Sequence, residues 1–158
     1  MDPRLFPHLV HVKRLRIQES NSREFTDKVF CHLTNLQSLS MKKCSQVTIT
    51  DETFRHLTNL RFLNMLNCSQ NTITDKAFRH LTNLKALRML YCSQSTITNK
   101  AFRHLTNLKA LTMPDCPEGT ITDETLGCLM NLQFLHLPPC VKRQEMITDG
   151  AFHHLTKY

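Results

Sequence analysis

Glycine is scarce in this chain of 158 residues: there are three, too few for the glycine-rich loop that cradles a nucleotide phosphate. Long apolar runs are missing as well. No stretch approaches the roughly 18 uninterrupted apolar residues of a membrane span, so no membrane association is expected. Met1 to Leu15 alternates Pro, Arg, His and Lys with single apolar residues, unlike an export signal with its apolar run of roughly 7–15 residues. A cytoplasmic protein is expected. Aromatic residues make up only 7%, which leaves few platforms on which bases could stack. Lys and Arg outnumber Asp and Glu by 20 to 13, yet they are dispersed and form no basic run. The net charge of +7 therefore suits acidic partners without marking nucleic acid.

Catalysis requires a nucleophile, a base and an orienting group brought together once in a pocket. Here every recurrent polar residue occurs many times, as on a ladder. No enzymatic activity and no cofactor are expected. The 7 cysteines are odd in number and mostly evenly spaced, against the close pairing of secreted disulfide scaffolds, which points to a reducing compartment.

What the chain does have is a repeat. The segments ITDETFRHLTNLRFLNMLNCSQNT, ITDKAFRHLTNLKALRMLYCSQST and ITNKAFRHLTNLKALTMPDCPEGT follow one another with a period of 24 residues. Leu33, Leu57, Leu81, Leu105 and Leu129 form one column. Leu36 to Leu132, Leu39 to Leu135 and Cys44 to Cys140 form three more in the same frame. A degenerate copy precedes them, with Phe6, Leu9, Val12, Leu15, Ile17 and Phe25 in register. The chain is expected to be a single domain over 1–158 with about six strands, starting and ending in mid-repeat, with extra residues between Cys140 and Ile147.

Within a unit, Leu63 and Met65 alternate with exposed positions, which predicts a short strand. Thr26, Thr50, Thr74, Thr98, Thr122 and Thr148 then each open a short helix, usually followed by an acid, as a cap and a first-turn charge favour. Phe54 and Leu57 face inward from it while Glu52 and Arg55 face solvent. Asn35, Asn59, Asn83, Asn107 and Asn131 stand where that helix stops and are expected in the left-handed conformation. Such units cannot bury their apolar sides alone, so they stack. Strands lie about 4.8 Å apart and packed helices roughly 8–10 Å, so the stack curves with its sheet on the concave side.

The string LxxLxLxxC followed by an ITD-type helix start resembles the cysteine-containing leucine-rich repeats of F-box proteins and bacterial effectors. It is also similar to repeat proteins of large DNA viruses of amoebae, which would make this a viral protein. The resemblance runs from Phe6 to Tyr158. It implies an α/β, right-handed leucine-rich-repeat solenoid, curved, with a parallel sheet on the concave face and short helices on the convex face. It also implies recognition of other proteins, although no F-box is expected ahead of the first repeat. Four residues separate Cys from Ile in this chain, against a commoner two. In the motif the cysteine turns inward at the strand's end and satisfies loop backbone groups, a structural role for a buried thiol.

A second polar column runs His8, His32, His56, His80, His104, Cys128 and His154. Helices roughly 8–10 Å apart keep successive imidazoles from sharing a metal, so contact between repeats is the expected role. Function is expected where the repeats differ, at the outward strand positions. Phe62, Leu66, Leu90, Tyr91 and Phe134 are expected to form one apolar strip, flanked by Arg14, Arg16, Lys42 and Arg88 and continued by His136. The leading expectation is a protein-interaction module that docks a protein partner, of a kind the sequence does not name, on this concave face. The alternative is a structural protein that self-assembles through uncapped ends, with a homodimer through the C-terminal repeat. Nucleic-acid binding through Arg14, Arg16, Lys42, Arg88 and the helix column Arg55, Arg79, Arg103 ranks last.

Overall fold

Alternating Leu and Met at period two, closed by turn residues, gives each unit one strand, and the apolar helix face gives it a lid. In the computed structural model the described residues are 8–18, 25–44, 48–68, 71–92, 96–114, 120–137 and 147–148. The elements run β1 (Arg14–Gln18), α1 (Asp27–Phe30), β2 (Ser38–Lys42), α2 (Asp51–Arg55), β3 (Phe62–Leu66), α3 (Asp75–Phe78), β4 (Ala86–Leu90), a 3-10 turn (Asn99–His104), β5 (Ala110–Thr112), α4 (Asp123–Cys128) and β6 (Phe134–His136). The strands form one parallel sheet in sequence order, β1 to β6. Each residue pairs with the one 24 positions on, as in Arg14 with Ser38 and Phe62 with Ala86. The fold is an α/β leucine-rich-repeat solenoid with the sheet along one wall and the helices along the other.

The repeated columns fill the interior. Phe30, Phe54, Phe78 and Phe102 come from the helix side, and Leu39, Leu63, Leu87 and Leu111 from the sheet, all at most 2% exposed. Helices of four to six residues are too short to be stable alone, so packing on this core is what forms them. Thr50, Thr74, Thr98 and Thr122 cap as expected, accepting from the N–H of Glu52, Lys76, Lys100 and Thr125. Thr26 makes no such side-chain bond.

Three polar ladders tie the coils together. The asparagines do not take the left-handed conformation expected of them; among the described residues the non-glycine positions with positive φ are Lys43, Asn67 and Tyr91. Instead each Asn Nδ2 donates to a carbonyl one coil back, from Asn35 to Val10 at 3.0 Å through Asn131 to Thr106 at 2.8 Å. From Asn59 onward these bonds occupy carbonyls in the turn between each helix and the following strand. The cysteines form the second ladder: Cys68 Sγ donates to Met41 O at 3.5 Å, and Cys92 Sγ to Met65 O at 3.3 Å. Contact with the Cys44 thiol, together with burial, pushes the Cys68 thiol far above its usual range, so it stays protonated. Such a thiol is a structural donor, inert as a nucleophile.

The third ladder uses the acid after each capping Thr, which does more than complement a helix start. Asp51 accepts from both Thr74 N and Thr74 Oγ1 at 2.7 Å, and Asp75 from Thr98 N and Oγ1 at 2.7 Å. Asp27 makes the same pair with Thr50 and also receives the hydroxyl of the buried Thr53. The rung is missing where Asn99 replaces the acid: Thr122 Oγ1 turns to Thr125 instead, at 3.2 Å, and that coil carries the 3-10 turn.

At the far end Asp123 accepts from Thr148 N at 2.8 Å and from Thr148 Oγ1 at 2.5 Å. These bonds from Thr148, the hydroxyl's first, hold the Asp123 carboxyl below its ordinary range. A folded-state value below the unfolded one gives stability that is present above the unfolded value and lost as pH falls through the folded one. The melting temperature is accordingly expected to drop as pH is lowered below the ordinary carboxylate range, and Asp123→Asn to flatten part of that slope. Thermal melts of both proteins across the acid range check it.

The histidine column lies at the surface. His8, His56 and His104 are exposed and His32 and His80 half-buried, and His154 lies outside the described residues. Cys31, Cys44, Cys68, Cys92 and Cys128 are free thiols. Cys116, Cys140, the segment 141–146 with its two extra residues and the C-terminal helix with its expected dimer contact lie outside the described residues.

Candidate functional site

Parallel pairing without slippage sorts the outward side chains of the sheet into rows running across the strands. The first row is Arg14, Ser38, Phe62, Ala86, Ala110, Phe134; the second is Arg16, Ser40, Asn64, Arg88, Thr112, His136. The third is Gln18, Lys42, Leu66, Leu90.

This arrangement corrects the single apolar strip expected from sequence. Phe62 and Phe134 share the first row, 51% and 56% exposed, whereas Leu66 and Leu90 lie two residues along the strands in the third and are half-buried. The polar second row runs between them. Tyr91 belongs to neither row: it follows β4 in the turn before Cys92, with φ 54, the position held by Lys43 and Asn67 in other coils. Its ring is 67% exposed beyond the strand end. The arginines divide as well. Arg14, Arg16 and Arg88 lie on the sheet face with Lys42, while Arg55, Arg79 and Arg103 belong to the helical side and cannot share a ligand with them. Arg55 and Arg103 also carry exposed ion pairs, to Glu52 at 3.5 Å and Glu124 at 2.7 Å.

Two further features mark the face. Ala86 and Ala110 form a low floor between Phe62 and Phe134, which stand three strand spacings apart, about 14 Å. This is a trough with aromatic walls. At its N-terminal end a depression of about 390 Å³ is lined by Arg14, Leu15, Arg16, Gln37, Ser38, Ser40 and Phe62. Beside it, the Asn64 side-chain carbonyl is buried with no hydrogen-bond partner among the described residues. Adding 24 to Phe62 twice gives Ala86 and Ala110, so the trough was readable from the period alone; the unpartnered Asn64 carbonyl was not.

Among the described residues no three His, Cys, Asp or Glu side chains converge as metal ligands, and no helix is long and apolar enough to cross a membrane. A family profile described as BspA type Leucine rich repeat region matches six copies over residues 23–157. The chain belongs to this BspA-type leucine-rich-repeat family. A search of curated proteins finds no match. Among solved structures, the BspA-type array is similar to a chain in the crystal structure of a TLR13–ssRNA13 complex, at 21% identity and a TM-score of 0.59. The likeness covers 90% of this chain and 20% of the other, so the array spans about a fifth of that protein's length. It shows the shared solenoid.

BspA-type leucine-rich repeats are recognition modules that generally act in protein–protein interaction. In this array the sheet face offers what such contacts use: rigid aromatic anchors, a shallow floor and a few cations that no described carboxylate neutralises.

Proposed function

We propose that this chain is a protein-interaction module, not an enzyme, that docks its partner across the concave sheet face with no cofactor. The observation that carries the reading is the first row, where two exposed phenylalanines flank two alanines. Exposed aromatic side chains on a rigid sheet lose little entropy on binding and are the usual anchors of an interface. The repeated columns, by contrast, are consumed by core and ladders. Arg14, Arg16, Lys42, Arg88 and His136 form the polar part of the contact, with Leu66 and Leu90 as its second apolar patch. Tyr91 joins from the end of the strands. The buried free thiols support a reducing, cytoplasmic setting.

Phe62→Ala with Phe134→Ala is expected to weaken partner capture by at least about tenfold, since each anchor contributes more than about 1.4 kcal/mol, while the melting temperature stays within about 3 °C of the parent for these exposed side chains. Quantitative pull-down beside a thermal melt checks both. Unchanged capture with an unchanged melt would sink the reading.

A further inference from the structure

The depression at the N-terminal end of the sheet face has a chemistry different from the trough beside it. Arg14 and Arg16 are two residues apart on one strand, so their side chains rise on the same face roughly 7 Å apart. Ser38 and Ser40 stand directly opposite them on β2, about 4.8 Å away. Two guanidinium groups and two hydroxyls therefore mark the corners of one small patch. Phe62 walls it on the side towards the trough. Among the described residues the ion pairs are Arg55 with Glu52 and Arg103 with Glu124, so no described carboxylate neutralises Arg14 or Arg16.

We propose that this patch binds the phosphate of a phosphorylated serine or threonine on the docked partner, an inference that rests on the concave-face reading above. A phosphomonoester brings close to two negative charges and three acceptor oxygens. Two guanidinium forks and two hydroxyls supply at least one donor group for each of these oxygens, and Arg is the side chain that matches phosphate geometry. A carboxylate would leave donors unused. The residue next to the phosphorylated one lies against Phe62 and the alanine floor, so it is apolar. The Asn64 carbonyl, buried and without a partner, takes a donor from the partner's backbone.

A nucleic-acid strand needs cations all along its track. Past Arg14 and Arg16 the sheet-face cations are Lys42 in the third row and Arg88 in the second, while the first row from Ser38 to Phe134 holds none, so the cations do not form a continuous track. One focused anion site beside an apolar trough suits a peptide.

The test is an NMR titration of the full chain with a degenerate peptide library carrying a fixed phosphoserine followed by an apolar position. The same library without phosphate, the same library with Glu in place of phosphoserine, and an oligouridylate run in parallel. The phosphorylated library is expected to shift the amides of Arg14 to Gln18 and Ser38 to Lys42 and to bind at least about tenfold more tightly than either peptide control, since one charge-assisted contact alone is worth about that factor. Arg14→Gln with Arg16→Gln removes the preference while the rest of the spectrum stays dispersed as in the parent. Equal affinity for the three peptide libraries overturns the proposal, as does tighter binding of the oligouridylate at these residues. If the natural partner is lost by Phe62→Ala but retained by Arg14→Gln with Arg16→Gln, phosphate recognition falls and concave docking stands.

Discussion

Phe78→Ala is expected to destabilise the protein by about 3–5 kcal/mol, the cost of emptying a fully packed aromatic site. Phe78 is 1% exposed and sits midway along the helix-side column between Phe54 and Phe102. The stack has little means of closing such a void, because the sheet fixes the spacing of its coils on the other wall. At this chain length the loss lowers the melting temperature by roughly 10 °C or more. The position also matters. A stack is held only by neighbours, so a weak coil in the middle separates two halves that otherwise melt together. The transition is expected to broaden as well as shift. Calorimetry on Phe78→Ala and on Phe78→Leu, which retains most of the volume, measures this; a melt as sharp and as hot as the parent's would show that the column is not continuous.

The second large effect is that of Asp51→Ala, expected to cost about 2 kcal/mol. The carboxylate of Asp51 receives two hydrogen bonds from Thr74, at 2.7 Å each and partly shielded from solvent. Bonds to a charged acceptor are worth more than neutral ones, and removing the acceptor leaves a half-buried donor without its partner. Partial exposure keeps the figure below the sum for two such bonds. Asp51→Asn keeps one acceptor oxygen and is expected to lose about half as much. The reverse change is built into the chain: Asn99→Asp would supply the missing rung to Thr122 and is expected to gain about 1 kcal/mol. Denaturant melts of the three variants fix the order Asn99→Asp above parent above Asp51→Asn above Asp51→Ala. A neutral Asp51→Ala would mean that these carboxylates serve only their own helix starts.

That carboxylate ladder is a feature the sequence does not display on its own. The columns of Leu, Met and Phe were legible because a buried position tolerates few residue types, so a 24-residue period in apolar residues can hardly mean anything but a stack. Strand and helix positions followed from local alternation and from Thr. The role of a polar column is harder to read, because Asp51 after Thr50 satisfies a helix N-terminus whether or not it also reaches Thr74. The asparagines are ambiguous for the same reason: a helix stop explains Asn59 locally, but the bond it makes goes to Thr34, one coil back. Local rules account for a residue in its own coil and are silent about the next one.

The candidate site divides in the same way. Alternation along each strand shows that Phe62 and Phe134 face outward, but polarity alone does not separate them from Leu66 and Leu90, which register places in another row. Rows across the sheet are a property of pairing between coils. Once parallel pairing with a shift of 24 is in place, Ala86 and Ala110 fall between the two rings and Ser38 and Ser40 fall opposite the two arginines. The depression at Arg14 and Arg16 depends on this juxtaposition, and no single segment of the chain contains it.

What distinguishes one coil from another is therefore concentrated on the sheet face, while the interior and the ladders repeat. Photo-cross-linking tests that division most directly. A benzophenone side chain placed at Ala110, on the floor between Phe62 and Phe134, is expected to form a covalent adduct with the captured partner, and the same group placed at Arg79 on the helical side to form none. Adducts from Arg79 with none from Ala110 would put the partner on the opposite face and contradict the account.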